Sequence, residues 1–417
     1  MRTGIDGKGY AGPRYLFEQP AGMGKDLLWE KKETERKETA WGGFGFFYPC
    51  RSMKEYTCAG FLQDEKEPTQ VFLRFQGQDY RKPRSAGEFG IRFYTREGNY
   101  DLTGSNLPVS GICDGSKYGA WLQAQGRDRE VPKHTEQVWD FYSRSPETLH
   151  MLMWLYSPQG RVQDYRTTRW FGGNTFVWVT GEGKRSYVRY QLLPEKERKD
   201  YFGYGLWVQV MDMEQESRLG FEPFDGTRLW PEDSCSLIQA GTVALEGELG
   251  EYEVWTEQAP LDLGNLVPGI EISQDMILQG KRFECGKRWD PRQMKVSSLF
   301  RMGIRSVEGP GGFLKPQVET GESVEYEETA GEAAGRKNNL ENGNFQKRNF
   351  AGNGEQIFVQ ASKRYQAMTE EEQMETASAI GEELSVCSRQ VQERELSLFH
   401  RVNRGLAWAV MREIGKK

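Results

Sequence analysis

Residues 88–109 read EFGIRFYTREGNYDLTGSNLPV, and this stretch decides what kind of molecule the chain builds. Aromatic and β-branched side chains gather in two short runs, EFGIRFYT and NYDLTGSN, punctuated by glycine. Such residues fit a pleated, half-buried surface, so the stretch reads as two short strands. The same texture runs outward in both directions. GGFGFFY (42–48) and TQVFLRFQG (69–77) come before it, YGLWVQVMDM (204–213) and CSLIQAGTVALEG (235–247) after it. In GNTFVWVTGEGKRSYVRYQLL (173–193), two alternating runs flank Gly181-Glu182-Gly183, which predicts a hairpin. TEQVWDFYSRSPETLHMLMWLY (135–156) instead has helical spacing, with Ser145-Pro146-Glu147 as a helix start.

A chain of 417 residues suits a large all-β or α+β domain with appendages. Its 55 basic and 61 acidic residues give a net charge of −6 with both signs scattered, so neither nucleic acid nor an anionic membrane is an expected partner. No apolar run approaches the roughly 18 residues of a membrane span, and no basic-then-apolar leader is present. The six cysteines (50, 58, 113, 235, 285 and 387) lie far apart without a C-x-x-C pair, and read as reduced thiols of a cytoplasmic protein. Only His134, His150 and His400 could join them, which argues against zinc and restricts general-base chemistry.

The expected organisation is an N-terminal arm (1–40), a β core (41–304), an acidic segment poor in apolar residues (305–355) and a helical region (356–417). The middle segment contains GESVEYEETAGEAAGRKNNLENGNF (321–345), which cannot bury a core of its own and so wraps a surface or moves. Residues 368–414 read as two amphipathic helices, the first capped by Thr369 with Glu372 three residues on.

GKRFECGKRWDPR (280–292) places Cys285 among Lys281, Arg282, Lys287, Arg288 and Arg292. Nearby cations favour a thiolate, which makes Cys285 a candidate ligand or nucleophile. Read alone, it is more simply a half-buried cysteine on a basic surface helix.

Five stretches, in order and spacing, resemble the haem catalases. They are residues 88–109, VWDFYSRSPETLH (138–150), LWVQVMDMEQ with FEPFDGTRLWP (206–215 and 221–231), NLVPGIEISQDMILQG (265–280) and RQVQEREL (389–396). The similarity runs from AGPR (11–14) to the last helix. It implies an α+β, catalase-like fold: an antiparallel eight-stranded β-barrel with a wrapping segment and C-terminal helices. It also implies haem b and assembly as a homo-oligomer, a dimer or tetramer.

Matched position by position, the resemblance implies an altered site. The distal histidine falls on Lys37, seven residues before Phe44, and no histidine precedes His134. The distal asparagine becomes Ser105, and Asn106 keeps the next position, so Lys37, Ser105 and Asn106 occupy the catalytic places. Ser110 and Gly111 replace two phenylalanines, which predicts a wider approach. Tyr118 matches the aromatic over the haem, Leu261 a further haem contact, and Arg74 and Arg292 the propionate partners. Lys281 stands in for an arginine one helical turn before the axial tyrosine, and that tyrosine is Cys285, a candidate iron ligand.

The expected function is that of a haem-thiolate oxidoreductase. It would use peroxide or an organic hydroperoxide to oxidise or rearrange a small organic substrate, with a redox partner as a further option, and would dismutate hydrogen peroxide poorly. Two alternatives stand beside it: a non-catalytic haem- or ligand-binding protein of the same fold, and a residual catalase or peroxidase. The twelve tryptophans read as packing residues, and His150 as a structural histidine.

Overall fold

A computed structural model describes residues 40–63, 67–76, 86–124, 135–162, 164–195, 202–214, 222–245, 250–251, 261–281, 306–307, 313–314 and 356–416. Eight strands form its centre: β1 (Ala40–Pro49), β2 (Thr69–Gln76), β3 (Glu88–Thr95), β4 (Gly98–Ser105), β5 (Trp170–Val179), β6 (Arg185–Pro194), β7 (Phe202–Asp212) and β8 (Leu237–Leu245). Each pairs antiparallel with the next, and β8 returns to β1 through Gly45↔Leu245 and its neighbours, which closes the barrel. Closure removes the exposed edges that an open sheet would present. The turns follow the local chemistry. Gly183 adopts φ +86° in the β5–β6 hairpin, and Gly98 φ +136° between β3 and β4, both outside the comfortable range of other residues.

Alternation along the strands sorts side chains into two faces. Val71, Leu73 and Phe75 of β2, Phe89, Ile91 and Phe93 of β3, and Tyr100 and Leu102 of β4 point inward, where they meet Trp170, Trp178, Tyr190 and Tyr204. Edge-to-face pairs such as Phe47–Phe93, with centroids 5.5 Å apart, knit this interior. The expectation of tryptophan as packing material holds for Trp139, Trp170 and Trp178, all fully buried.

Outside the barrel lie α1 (Tyr118–Ala124), α2 (Thr135–Arg144), α3 (Leu149–Leu155), a helix α4 described over 276–281, and four C-terminal helices. The last are α5 (Gln356–Gln366), α6 (Glu370–Leu384), α7 (Arg389–Val402) and α8 (Arg404–Ile414). Residues 368–414 therefore form three helices where two were expected. The extra break falls at Asn403, whose backbone is extended and whose side-chain Oδ1 accepts from the amides of Gly405 and Leu406, which starts a new helix. The expected capping box is present, with Thr369 Oγ1 accepting from Glu372 N and the Glu372 carboxylate from Thr369 N. These helices share an apolar core with α2 and α3, built from residues such as Val138, Trp139, Leu152, Ile380, Phe399 and Val410. Within the acidic segment only two short strands, Ser306–Val307 and Phe313–Leu314, are described, and they pair with each other. The arm (1–39) and the rest of 305–355 lie outside the described residues. No helix among the described residues is long and apolar enough to cross a membrane.

One ion pair organises the outer wall. Arg92 of β3 and Asp101 of β4 face each other across the ladder and bond through two contacts, Nε–Oδ1 at 2.7 Å and Nη2–Oδ2 at 2.6 Å, both side chains fully buried. Asp101 Oδ2 also accepts from Asp262 N and Asn265 Nδ2, each at 2.8 Å, which straps residues 262–265 across the wall. Asp101→Ala should cost about 3–5 kcal/mol, because it strands a buried guanidinium. Chemical denaturation checks this, and Arg92→Met added to it should recover part of the loss. Gly45→Ala should also destabilise, by about 1–3 kcal/mol. A β-carbon there would overlap the Ala244 backbone at the seam where the barrel closes.

Candidate functional site

The barrel register places the candidate residues in rows on its outer face. Gly42, Arg74, Gly90 and Thr103 lie side by side across β1 to β4. Phe44, Phe72, Arg92 and Asp101 make the row on one side, and Ala40, Gln76, Glu88 and Ser105 the row on the other. Arg74 thus has a glycine on each side. Its Nε lies 3.5 Å from where a β-carbon on Gly90 would sit, and Leu261 Cδ1 occupies that same space. The strap anchored on Asp101 delivers Leu261 to this point. Two residues matched to haem contacts, far apart in sequence, therefore meet over one glycine.

A second group forms around α4. Asp275 caps this helix, Oδ1 accepting from Ile277 N at 2.9 Å and Leu278 N at 3.0 Å. Its Oδ2 accepts from Thr175 N at 3.0 Å and Asn174 Nδ2 at 3.2 Å, in the part of β5 where the register shifts between Gly172 and Phe176. Lys281, at the far end of the described helix, donates to Asn174 Oδ1 at 2.9 Å. An uninterrupted chain runs Lys281–Asn174–Asp275, with Asn174 and Asp275 buried. Tyr118 lies alongside: its ring is 3.5 Å from the position of a β-carbon on Gly280. Cys285, Arg292 and Lys37 lie outside the described residues.

Ser105 and Asn106 are engaged locally. Ser105 Oγ accepts from Leu107 N and donates to Leu107 O, both at 3.2 Å. Asn106, buried, accepts from Gly87 N at 2.8 Å through Oδ1 and donates from Nδ2 to Gly160 O at 3.1 Å. Its carboxamide bridges two backbone segments. The expected wider approach at Gly111 is corrected. The Trp121 indole and the Met151 sulfur fill the space that a side chain on Gly111 would need. Ser110 is tied down as well, its amide donating to Gly226 O at 2.7 Å.

Residues 222–230 form a hub behind these groups. Arg189, buried in β6, donates to Thr175 Oγ1 and to the carbonyls of Pro223, Asp225 and Arg228, and its guanidinium lies 4.7 Å from the Trp230 ring centre. Desolvation pulls its pKa down to about 10. His150 Nδ1 meets Thr227 O at 2.8 Å while Nε2 accepts from Trp154 Nε1 at 3.1 Å, which fixes the neutral tautomer with the proton on Nδ1. Burial lowers its pKa to about 4, so it stays neutral and structural as expected. The described cysteines 50, 58, 113, 235 and 387 are all free. Burial pushes Cys113 and Cys387 up to about 12, which makes them poor nucleophiles.

Sequence reasoning passed over Asn174 and Asp275. Asp275 carried a local signal, an acidic residue directly before the helical run MILQG (276–280). Asn174 carried none, since its role depends on a bulge and on a residue more than a hundred positions away.

The family model for catalase matches residues 32–198 and 191–287, and one described as catalase-related immune-responsive matches 352–414. The chain is 30% identical over 383 residues to a catalase of Listeria innocua, covering 81% of this chain and 76% of that protein. It is 27% identical to a catalase of Streptomyces coelicolor, covering 95% and 91%. Against Catalase-2 of Bacillus subtilis the identity is 34%, but the match spans only 41% of that longer protein. In three dimensions a fungal catalase superposes with a TM-score of 0.72 at 22% identity, covering 91% of this chain and 87% of that one. Catalase A of Saccharomyces cerevisiae gives 0.71 at 21% identity, covering 91% and 89%. With more than half its length matched by the family model, and with the closed eight-stranded barrel to accompany it, this chain belongs to the catalase family.

Proposed function

We propose that this protein is a haem-binding oxidoreductase that consumes peroxide, with the Cys285 thiolate as iron ligand and a small organic molecule as the second substrate. The observation that carries this reading is the Lys281–Asn174–Asp275 chain. It fixes a cation four residues ahead of Cys285 in sequence, and a cation near that thiol would favour a thiolate.

The described wall suits a flat ring bearing carboxylates. Glycines at 42 and 90 flank Arg74 in its row, Leu261 packs over Gly90, and Arg74 there supplies a guanidinium suited to bidentate carboxylate bonding. Arg74 and Arg292 would hold the two propionates of haem b, and Tyr118 and Leu261 would lie against the ring. When bound, the haem supplies redox chemistry toward peroxide, and a thiolate ligand favours cleavage of the O–O bond.

The residues at the catalytic places argue against efficient dismutation. Moving a proton across hydrogen peroxide needs a base free to take it. Ser105 is turned to Leu107, and the Asn106 carboxamide bridges Gly87 and Gly160. Lys37 is a cation near neutral pH unless buried. Reduced thiols support a cytoplasmic location, and the family resemblance supports a homo-oligomer. The oxidant is hydrogen peroxide or an organic hydroperoxide.

Two measurements test this reading. The haem-loaded protein should show a carbon monoxide adduct with its Soret band shifted strongly to the red, and Cys285→Ser should abolish the shift. Identical spectra for parent and variant would remove the thiolate. Asn174→Leu, which unhooks Lys281, should weaken haem retention about 10-fold, the usual effect of losing a group that orients a ligand. Separately, oxygen release from hydrogen peroxide should run about 10²–10⁴-fold below that of a catalase assayed alongside, the range expected for lost general acid–base help. Vigorous oxygen evolution at catalase rates would show that another group carries the proton.

A further inference from the structure

Helix α7 carries a carboxyl where its apolar stripe should be unbroken. Val391, Glu395, Phe399 and Val402 recur at helical spacing and are all buried, Glu395 and Phe399 with no exposed surface at all. This stripe enters the core shared by α2, α3, α5, α6 and α8, among residues such as Trp139, Tyr142, Leu384 and Leu406. Both carboxyl oxygens of Glu395 are buried without a hydrogen-bond partner. An ionised carboxylate in that setting carries a heavy desolvation cost with nothing to offset it.

The charged groups around α7 are committed elsewhere. Arg394, the cation acting on Glu395, pairs with Asp140 of α2 and donates through Nε to Ser143 Oγ at 3.1 Å. On α2, Glu136 accepts from Ser388 N and Oγ, and Asp140 also pairs with Arg144. On α6, Glu383 accepts from Trp139 Nε1 and Tyr156 Oη. The Cys387 thiol feels Glu136, Glu383 and Glu395 and stays protonated. From α3, His150 is held by Thr227 and Trp154, and from α5, Arg364 lies over the Trp154 ring. On α8, Glu413 pairs with Lys416 and Arg412, and on α7 itself Arg401 lies over Phe358 while His400 is exposed. None of them bonds to Glu395.

We propose that Glu395 is a proton-controlled latch on the C-terminal helical layer: α7 stays docked while the carboxyl keeps its proton, and loosens from α2 and α8 when the proton leaves. A neutral acid can sit in an apolar stripe at modest cost, whereas a carboxylate draws the helix toward water. Burial raises the folded-state pKa from 4.5 to about 8. A raised carboxyl pKa means that docking is fully favoured below 4.5, and the advantage is lost as pH rises through about 8. This inference is independent of haem and of the proposed activity.

Hydrogen exchange on the full-length protein at pH 6 and pH 9, corrected for intrinsic rates, tests it. Protection of the α7 amides should fall about 100-fold between pH 6 and pH 9, because docking weakens tenfold for each of the two pH units between 6 and the folded-state titration near 8. Glu395→Gln should keep the same corrected protection at both values. Glu395→Met, which restores an apolar stripe, should do likewise and covers the case in which glutamine folds badly. Wild-type protection that does not change between the two pH values would overturn the latch. So would an equal loss in the variants, which assigns the effect to other groups, or failure of both variants to fold, which makes the carboxyl a required contact.

Discussion

The bidentate pairing of Arg92 with Asp101 removes two charges from water on the outer wall of the barrel, and the surroundings of the candidate site depend on how that pair is completed. Two bonds from Arg92 leave Asp101 with acceptor capacity, and Asp262 N and Asn265 Nδ2 use it. A buried carboxylate with four donors is stable where one with a single partner is not. The consequence is spatial. The 262–265 strap can lie only where Asp101 holds it, and that placement brings Leu261 over Gly90 beside Arg74.

The filled interior imposes a complementary constraint. Aromatic rings from at least five strands meet inside the barrel, and the space is consumed by side chains. The candidate residues accordingly lie on the outer face, where glycines 42 and 90 and Arg74 share one row. The helices complete the surroundings. Asp275 ties α4 to the irregular part of β5, and α1 sets Tyr118 against that helix and Trp121 against Gly111. A glycine at 111 read from sequence suggests room. In the folded chain it is the hollow that lets an indole approach, so composition at one position does not measure the space around it.

Buried polar groups divide into two kinds in this molecule. Asp101, Asp275, Arg189 and Asn106 each hold backbone or partner side chains and fix where segments cross. Glu395 has no such duty and interrupts an apolar stripe. A group that stabilises nothing in its charged form is where proton uptake and structure are most directly linked. The same comparison explains why His150 is not a candidate base: both ring nitrogens are already bonded, and burial keeps it neutral.

Much of the fold was legible in the sequence because its determinants are local. Alternating aromatic and β-branched runs specify strands, Gly183 suits the hairpin, and Thr369 with Glu372 marks a helix start, each within a few residues. The family resemblance added the order of those elements and named Arg74, Tyr118, Leu261 and Lys281 as site residues. Local signals ran out where a partner lay far along the chain. Strand register alone put Arg74 in a row with Gly42, Gly90 and Thr103. The bulge in β5 gave Lys281 its partner Asn174, 107 residues away. The Asn403 break that makes three helices of two, the indole in the Gly111 hollow and the burial of Glu395 were likewise decided by packing. The physical reason is common to all of them. A side chain's conformational preference acts over its own turn or strand, whereas its solvation and bonding depend on whatever the closed barrel and the docked helices bring beside it.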